Sequence, residues 1–126
     1  MASVSDTQTL LVIDDDPDLL PFLADMLSVM TSYRIVTASD GAQGLERYLE
    51  CQPDCVIVDV KMPELDGYQF VRAIRGDPDS NSAPIIMLTA MGGDESQFIG
   101  LASGADQYLV KPVDPEALIA AIHHAL

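Results

Sequence analysis

Three short apolar runs of this sequence end in charged residues that could take part in phosphoryl chemistry. A carboxylate at the end of a buried strand is costly unless something there uses it. If the three runs are parallel strands of one sheet, their charged ends meet at one edge and gather several carboxylates and an ammonium group. Such an edge could hold a divalent cation and a phosphoryl group. The runs and the residues that end them are Cys55–Val58 with Asp59, Leu10–Ile13 with Asp14 and Asp15, and Tyr108–Val110 with Lys111.

Asp59 is the candidate nucleophile of this set. A carboxylate can attack phosphorus and form an aspartyl phosphate, but the transferring group is itself anionic, so the attack requires positive neighbours. Mg²⁺, which prefers oxygen ligands, would supply positive charge on one side of that group and Lys111 on the other. The hydroxyl of Thr89 could donate to a phosphoryl oxygen. Simpler interpretations exist for single residues: Asp59 as a strand-terminal turn residue and Thr89 as a β-branched strand residue.

The first acidic loop carries four carboxylates within five positions, at Asp14, Asp15, Asp16 and Asp18. Acids are stabilised at helix N-termini, so capping of the following helix would explain one or two of them. Capping explains four poorly. We therefore expect some of these carboxylates, facing Asp59, to need a cation.

Composition predicts one acidic domain, because the chain has 126 residues and a formal charge of −14. Direct nucleic-acid binding is disfavoured, since it rests mainly on Lys and Arg neutralising phosphates, and so is an anionic membrane surface. No apolar stretch approaches the roughly 18 residues of a membrane span, and no secretory signal is evident. The two cysteines are predicted to be reduced, which fits a cytoplasmic location. Residues 1–8 are predicted to be a disordered tail and residues 9–126 the folded domain.

Apolar runs alternate with amphipathic segments along the chain, which predicts an α/β fold. The predicted strands are 9–13, 34–37, 55–58, 84–88 and 107–110, and the predicted helices are 17–29, 40–50, 67–75, 94–102 and 114–125. The strand at 34–37 is the most mixed in polarity and is predicted to lie at an edge. Alternation of this kind predicts a parallel sheet with right-handed crossovers and helices on both faces. Ligands of such sheets bind beyond the carboxyl ends of the strands.

Four segments of the chain match a known family in sequence and in order. Together they are specific, and from about residue 9 to 126 the chain resembles the receiver domain of bacterial two-component response regulators, the chemotaxis regulators included. The segments are Leu11-Val12-Ile13-Asp14-Asp15-Asp16-Pro17, Val58-Asp59-Val60-Lys61-Met62-Pro63-Glu64-Leu65-Asp66-Gly67, Leu88-Thr89-Ala90 and Gly104-Ala105-Asp106-Gln107-Tyr108-Leu109-Val110-Lys111-Pro112.

The resemblance implies a flavodoxin-like (βα)5 three-layer sandwich with strand order 2-1-3-4-5. It implies that Asp59 accepts a phosphoryl group from a sensor histidine kinase or a phosphotransfer protein. The domain would then be a signalling module rather than an enzyme, with only its own phosphorylation and dephosphorylation chemistry. A downstream protein or output domain would receive the signal.

The resemblance also implies roles for individual residues. Asp15, Asp59 and the backbone carbonyl of Lys61 would ligate Mg²⁺, and Asp14 would bind it through water. Lys111 would pair with the phosphoryl group or, before phosphorylation, with Asp59, and the Lys111–Pro112 peptide bond would be cis.

Thr89 and Tyr108 look like the switch pair of this family. The Thr89 hydroxyl would turn toward the phosphate while the Tyr108 ring moves inward. These movements would change the face formed by the predicted helix 94–102, strand 107–110 and helix 114–125. A homodimer through that face is left open.

Three other functions compete with a phosphorylatable receiver. A constitutive interaction module of the same fold is disfavoured by the intact set of Asp15, Asp59, Thr89 and Lys111. A magnesium-dependent phosphohydrolase of the haloacid-dehalogenase type would carry a second Asp two residues after the nucleophile, where this chain has Lys61. A flavodoxin would have a first loop rich in Thr, Ser and Gly rather than in acids.

Overall fold

The described part of the computed structural model comprises residues 8–78, 80, 83–90 and 104–126. The predicted helix 94–102 and residues 1–7 of the predicted tail lie outside the described residues. Among the described helices, none has both the length and the apolar character needed to cross a bilayer. The elements, in chain order, are β1 (Thr9–Ile13), α1 (Leu19–Met30), β2 (Arg34–Ala38), α2 (Gly41–Cys51), β3 (Cys55–Asp59), α3 (Gly67–Gly76), β4 (Ile85–Thr89), β5 (Gln107–Val110) and α4 (Pro115–Ala125).

The five strands form one parallel sheet in the order β2-β1-β3-β4-β5. Every residue of β1, β3 and β4 is buried, as expected for strands covered on both faces. The more polar β2 lies at one edge. The predicted fold, strand order and edge position are therefore confirmed, and the carboxyl ends of β1, β3 and β4 lie side by side.

Two apolar clusters cover the two faces of the sheet because alternate strand side chains point to opposite sides. On one face, Tyr48 of α2 and Phe70 of α3 pack against strand residues such as Val58. On the other face, Leu23 of α1 and Ile122 of α4 pack against the alternate strand residues. The helices packed on both faces fix the relative positions of the strand ends.

Each described helix begins within two residues of its predicted start, and α1 differs most. Helix α1 begins at Leu19 rather than at residue 17, because the Asp16 carboxylate accepts hydrogen bonds from the backbone N–H groups of Asp18 (2.9 Å) and Leu19 (3.2 Å). This turn precedes the helix and leaves Pro21 within the first helical turn, where its missing N–H costs little. The side chains of Asp40 and Asp114 accept from backbone N–H groups and cap α2 and α4.

Candidate phosphoacceptor and metal site

Asp59 is the last residue of β3 and is only 5% exposed. The strand predicted at 55–58 is thus one residue longer, and the carboxylate is carried by a rigid central strand rather than by a loop. The backbone N–H of Val60 donates to Leu88 of β4 at 2.8 Å, so the chain is still held to the sheet just beyond Asp59.

Three carboxylates converge at this point. Asp14, Asp15 and Asp59 can each direct one carboxylate oxygen so that all three lie within 4.8 Å of one another. Asp14 is 1% exposed and is held by two backbone bonds: its N–H donates to Ala38 (3.1 Å), and its Oδ1 accepts from the N–H of Asp16 (2.9 Å). Asp15 is exposed. The cluster is therefore buried on one side and open to solvent on the other.

Lys111 brings the positive charge to these carboxylates. Its Nζ lies 3.1 Å from Asp59 Oδ1 and 3.3 Å from Asp14 Oδ2, and its side chain is 21% exposed. The Lys111 backbone N–H donates to the Thr89 carbonyl at 2.6 Å, which ties the residue to the end of β4. The Lys111–Pro112 peptide bond is cis.

Burial raises the pKa of the Asp59 carboxyl, and the Asp14 carboxylate raises it further, while Lys111 opposes both effects without cancelling them. Burial lowers the pKa of Lys111, but the carboxylates of Asp14 and Asp59 outweigh burial, so the pKa of the ammonium group is raised overall. The ammonium group is therefore charged at neutral pH. The raised pKa of Asp59 shows that Lys111 does not fully offset burial and the nearby Asp14 carboxylate.

Thr89 lies on β4, which is next to the strand that carries Asp59, and Tyr108 lies on β5, the next strand outward. Thr89 is the last residue of β4 and is 4% exposed. Tyr108 of β5 is partly buried against the cluster that contains Phe70. Burial raises the pKa of Tyr68, and Tyr108 raises it further, so the two phenols are neighbours.

Not every acidic residue of the first loop joins the cluster. Asp16 caps the start of α1, and its two bonds from the backbone N–H groups of Asp18 and Leu19 lower the pKa of its carboxyl. Asp18 is exposed and its side chain makes no capping bond. The capping interpretation is thus correct for Asp16, while Asp14 and Asp15 face Asp59. Lys61 follows β3 with an exposed side chain.

Gly67 is a site residue for which the sequence argument supplied no reason beyond its motif. A Cβ atom there would lie 2.6 Å from the Asp59 carbonyl oxygen and 2.9 Å from Val60 Cα. The Gly67 N–H donates to the Val60 carbonyl at 2.8 Å. Helix α3 therefore starts in direct contact with the backbone that carries Asp59. The signal available in the sequence was a glycine immediately after the helix-capping residue Asp66.

The donor set of this pocket fits Mg²⁺. Three carboxylates and one ammonium group leave a net charge of about −2 when all are ionised, and every candidate ligand in the cluster is an oxygen, as Mg²⁺ prefers. The exposed side of the cluster leaves room for the waters that this ion retains. The acidic pocket is therefore a candidate Mg²⁺ site.

A buried aspartate at the carboxyl edge of a 2-1-3-4-5 parallel sheet, beside two further acids and a lysine, is the arrangement of a phosphoacceptor signalling domain. The sequence model described as "Response regulator receiver domain" matches residues 10–123. The chain belongs to this family, as its motifs predicted, and is a receiver domain of two-component signalling.

The chain is similar to transcriptional regulators. It is 44% identical over 119 residues to "Probable transcriptional regulator ycf27" of Guillardia theta, which covers 94% of this chain and 45% of that protein. It is 35% identical over 120 residues to "DNA-binding dual master transcriptional regulator RpaA" of Synechocystis sp., covering 93% and 48%. The chain thus spans about half the length of the curated relatives it matches.

Solved structures share the whole fold. The chemotaxis protein CheY4 of Vibrio cholerae superposes with a TM-score of 0.88 at 32% identity, covering 95% of this chain and 99% of that one. The receiver domain of a histidine kinase from Syntrophus aciditrophicus gives 0.85 at 28% identity, covering 95% and 90%. Domains of this fold are therefore found in a chemotaxis protein and in a histidine kinase.

Proposed function

We propose that Asp59 accepts a phosphoryl group in the presence of Mg²⁺. The observation that supports this proposal is the environment of Asp59. The residue is 5% exposed, its carboxylate lies 3.1 Å from Lys111 Nζ, and it is grouped with the carboxylates of Asp14 and Asp15. A buried carboxylate with adjacent cationic groups can act as a nucleophile toward an anionic phosphoryl group.

The donor in this proposal is a phosphohistidine on a sensor kinase or a phosphotransfer protein. One Oδ atom of Asp59 forms a bond to phosphorus while the P–N bond breaks, and the electron pair of that bond leaves with the imidazole. The product is an acyl phosphate on Asp59. Lys111 then exchanges its ion pair with the Asp59 carboxylate for one with the phosphoryl oxygens.

The residues that would hold Mg²⁺ are Asp15, Asp59 and the backbone carbonyl of Lys61, with Asp14 binding through water. When bound, Mg²⁺ would neutralise charge on the oxygens of the transferring group. The chain itself contributes the orientation: the Asp14 carboxylate is held by a backbone bond, and Asp59 by the end of a central strand.

Phosphorylation would add roughly −1.5 to −2 charges and strong hydrogen-bond acceptors to this pocket. We propose that the Thr89 hydroxyl and Lys111 turn toward the new group and that the Tyr108 ring moves inward. The changed face would comprise β5, α4 and the predicted helix 94–102, which lies outside the described residues. A local charge then biases a two-state surface.

The relatives support a proposal about the partners of this face. Because these are named transcriptional regulators, we propose that the domain controls an output domain or partner protein, which makes any contact with DNA. The domain's own charge of −14 argues against direct nucleic-acid binding. We propose a cytoplasmic location for the reaction, and a homodimer through the same face stays a prediction.

The test is incubation with acetyl phosphate and Mg²⁺ followed by intact-mass measurement. The parent protein should gain one phosphoryl group that is labile at alkaline pH, and Asp59→Asn should gain none. Asp18→Asn is the matched control, because it removes a nearby exposed carboxylate that lies outside the cluster, and it should be phosphorylated like the parent.

Two results would contradict the proposal. If the parent protein binds Mg²⁺ but takes up no phosphoryl group, the domain is a constitutive interaction module. If Asp59→Asn is phosphorylated as fully as the parent, another residue is the acceptor.

A further inference from the structure

A second cavity lies at the opposite side of the molecule from β5, where α2 passes the outer edge of β2. It has a volume of about 360 Å³ and is lined by Arg34, Val36, Arg47, Glu50 and Cys51. Two arginines therefore face one cleft in a chain that has only six Lys and Arg residues against 20 Asp and Glu. The cleft is separate from the acidic pocket around Asp59.

The outer edge of β2 presents backbone groups to this cleft. The Arg34 N–H donates to Gln8 (2.8 Å), and the Ala38 carbonyl accepts from Asp14 (3.1 Å), which fixes the register of β2 on β1. Residues at 34, 36 and 38 thus direct their backbone groups toward β1. Because this alternation has a period of two, the backbone groups of Ile35 and Thr37 point outward, to the side where β2 has no neighbouring strand in the described part of the chain.

The charge in the cleft is available to a ligand. Arg34 makes no ion pair with any described residue. Among the described residues, Arg47 makes only a 3.7 Å ion pair with Glu50, whose side chain is 63% exposed, and such solvated pairs are weak. A carboxylate entering the cleft could therefore pair with both guanidinium groups, and Val36 supplies an apolar wall beside them.

We propose that this edge binds an extended acidic peptide of a partner protein as an added strand. The peptide would carry an Asp or Glu beside Arg34 and Arg47 and an apolar residue two positions away against Val36, because side chains two apart in a strand share one face. Backbone bonds to Ile35 and Thr37 would give affinity, and the two side chains would give selectivity. A second copy of this chain is disfavoured as occupant because each copy carries a charge of −14.

The probe is a blocked peptide, N-acetyl-Thr-Glu-Thr-Val-Thr-amide, together with its reversed sequence, so that both strand directions are covered. The peptides are added to the ¹⁵N-labelled protein at up to about 5 mM, a range suited to short, weak ligands. The expected result is that the amide signals of Ile35 and Thr37 shift and that their hydrogen exchange slows. Peptides with Gln in place of Glu should bind about fivefold to tenfold more weakly, since the charged pair is lost.

Three protein variants separate the cleft from the overall charge. Arg34→Gln and Arg47→Gln should each weaken binding about fivefold. Arg72→Gln makes the same charge change on an exposed position of α3 and should bind like the parent. Two further peptides are N-methylated, one on the Thr residues and the other on the Glu and Val residues. They should differ in affinity, because only alternate N–H groups of an added strand face its neighbour.

The proposal is overturned if no peptide shifts the signals of Ile35 and Thr37. It is equally overturned if the Glu and Gln peptides bind alike, if Arg72→Gln weakens binding as much as Arg34→Gln, or if both N-methylated peptides behave identically. Phosphorylation of Asp59 does not enter any of these measurements, so their outcome is independent of the function proposed above.

Discussion

Replacement of Gly67 by alanine should damage both the stability and the phosphorylation of this domain. The new Cβ would lie 2.6 Å from the Asp59 carbonyl oxygen, which falls about 0.8 Å short of the 3.4 Å at which ordinary contact begins. It would also meet Val60 Cα at 2.9 Å. These are backbone atoms that no rotamer change can move aside. The start of α3 or the end of β3 must therefore shift.

Overpacking of this kind costs about 1–3 kcal/mol. For a domain of this size, a loss of about 2 kcal/mol should lower Tm by roughly 8 °C. The shift is transmitted directly to the backbone of Asp59, and misplacement of a reacting group by about 1 Å can reduce a rate by roughly 100-fold. We expect phosphorylation by acetyl phosphate to slow at least tenfold. Thermal unfolding and intact-mass time courses measure the two effects.

Gly76→Ala is the matched control, because it makes the same change in the same helix where a Cβ would meet no described residue within 4 Å. It should leave the phosphorylation rate unchanged and should keep or raise stability by up to about 1 kcal/mol, since alanine reduces the freedom of the unfolded chain. The reasoning is refuted if Gly67→Ala unfolds and reacts like the parent, or if Gly76→Ala loses as much of either property.

Three further outcomes follow from the same geometry. In EDTA, Asp59→Asn should become more stable than the parent as the pH rises above about 3.9 toward 7. Burial and Asp14 raise the pKa of Asp59 in the folded state, so its ionisation opposes folding. Urea unfolding at each pH measures the difference in stability, and a difference that does not change with pH would contradict the electrostatic cause. Mg²⁺ at about 100 times its Kd should raise the free energy of unfolding of the parent by about 2.7 kcal/mol. Denaturation with and without the ion should show that Asp15→Asn loses most of this gain and that Asp18→Asn keeps it. An equal gain in the parent and both variants would exclude the cluster as the Mg²⁺ site. Glu64→Gly should raise the free energy of unfolding by about 0.5 kcal/mol, because Glu64 has φ 68° and a left-handed backbone costs other residues more than glycine. Glu64→Ala keeps the Cβ atom and should show no such gain in urea unfolding. A gain as large as that of Glu64→Gly would attribute the effect to loss of the carboxylate instead.

The fold was largely predictable because its strands are nearly continuous apolar runs and its helices begin at recognisable caps. Burial on both faces requires runs such as Leu10–Ile13, and capping requires residues such as Asp40 and Asp114 in front of a helix. Among the described residues, the errors were confined to the ends of elements. Helix α1 starts at Leu19 because the Asp16 carboxylate forms a turn with the backbone, and no periodicity of side chains reports such a turn.

The candidate site was predictable as a set of residues but not as an arrangement. The order of the motifs identifies Asp59, Lys111 and the acidic loop, since parallel strands bring their carboxyl ends to one edge. Which of the consecutive acids face that edge depends on the path of the backbone after β1, and this path turns Asp14 inward and leaves Asp16 as a cap.

The sequence by itself determined the alternation of strands and helices, the family and the residue types at the phosphoacceptor edge, because hydrophobic periodicity and motif order are properties of one dimension. Only the tertiary structure decided the contacts between segments far apart in the chain. The Lys111 ammonium group reaches both Asp14 and Asp59, Gly67 rests on the backbone of Asp59, and Arg34 and Arg47 share a cleft. The distances between such residues are set by how the helices pack on the sheet, and local sequence does not specify that packing.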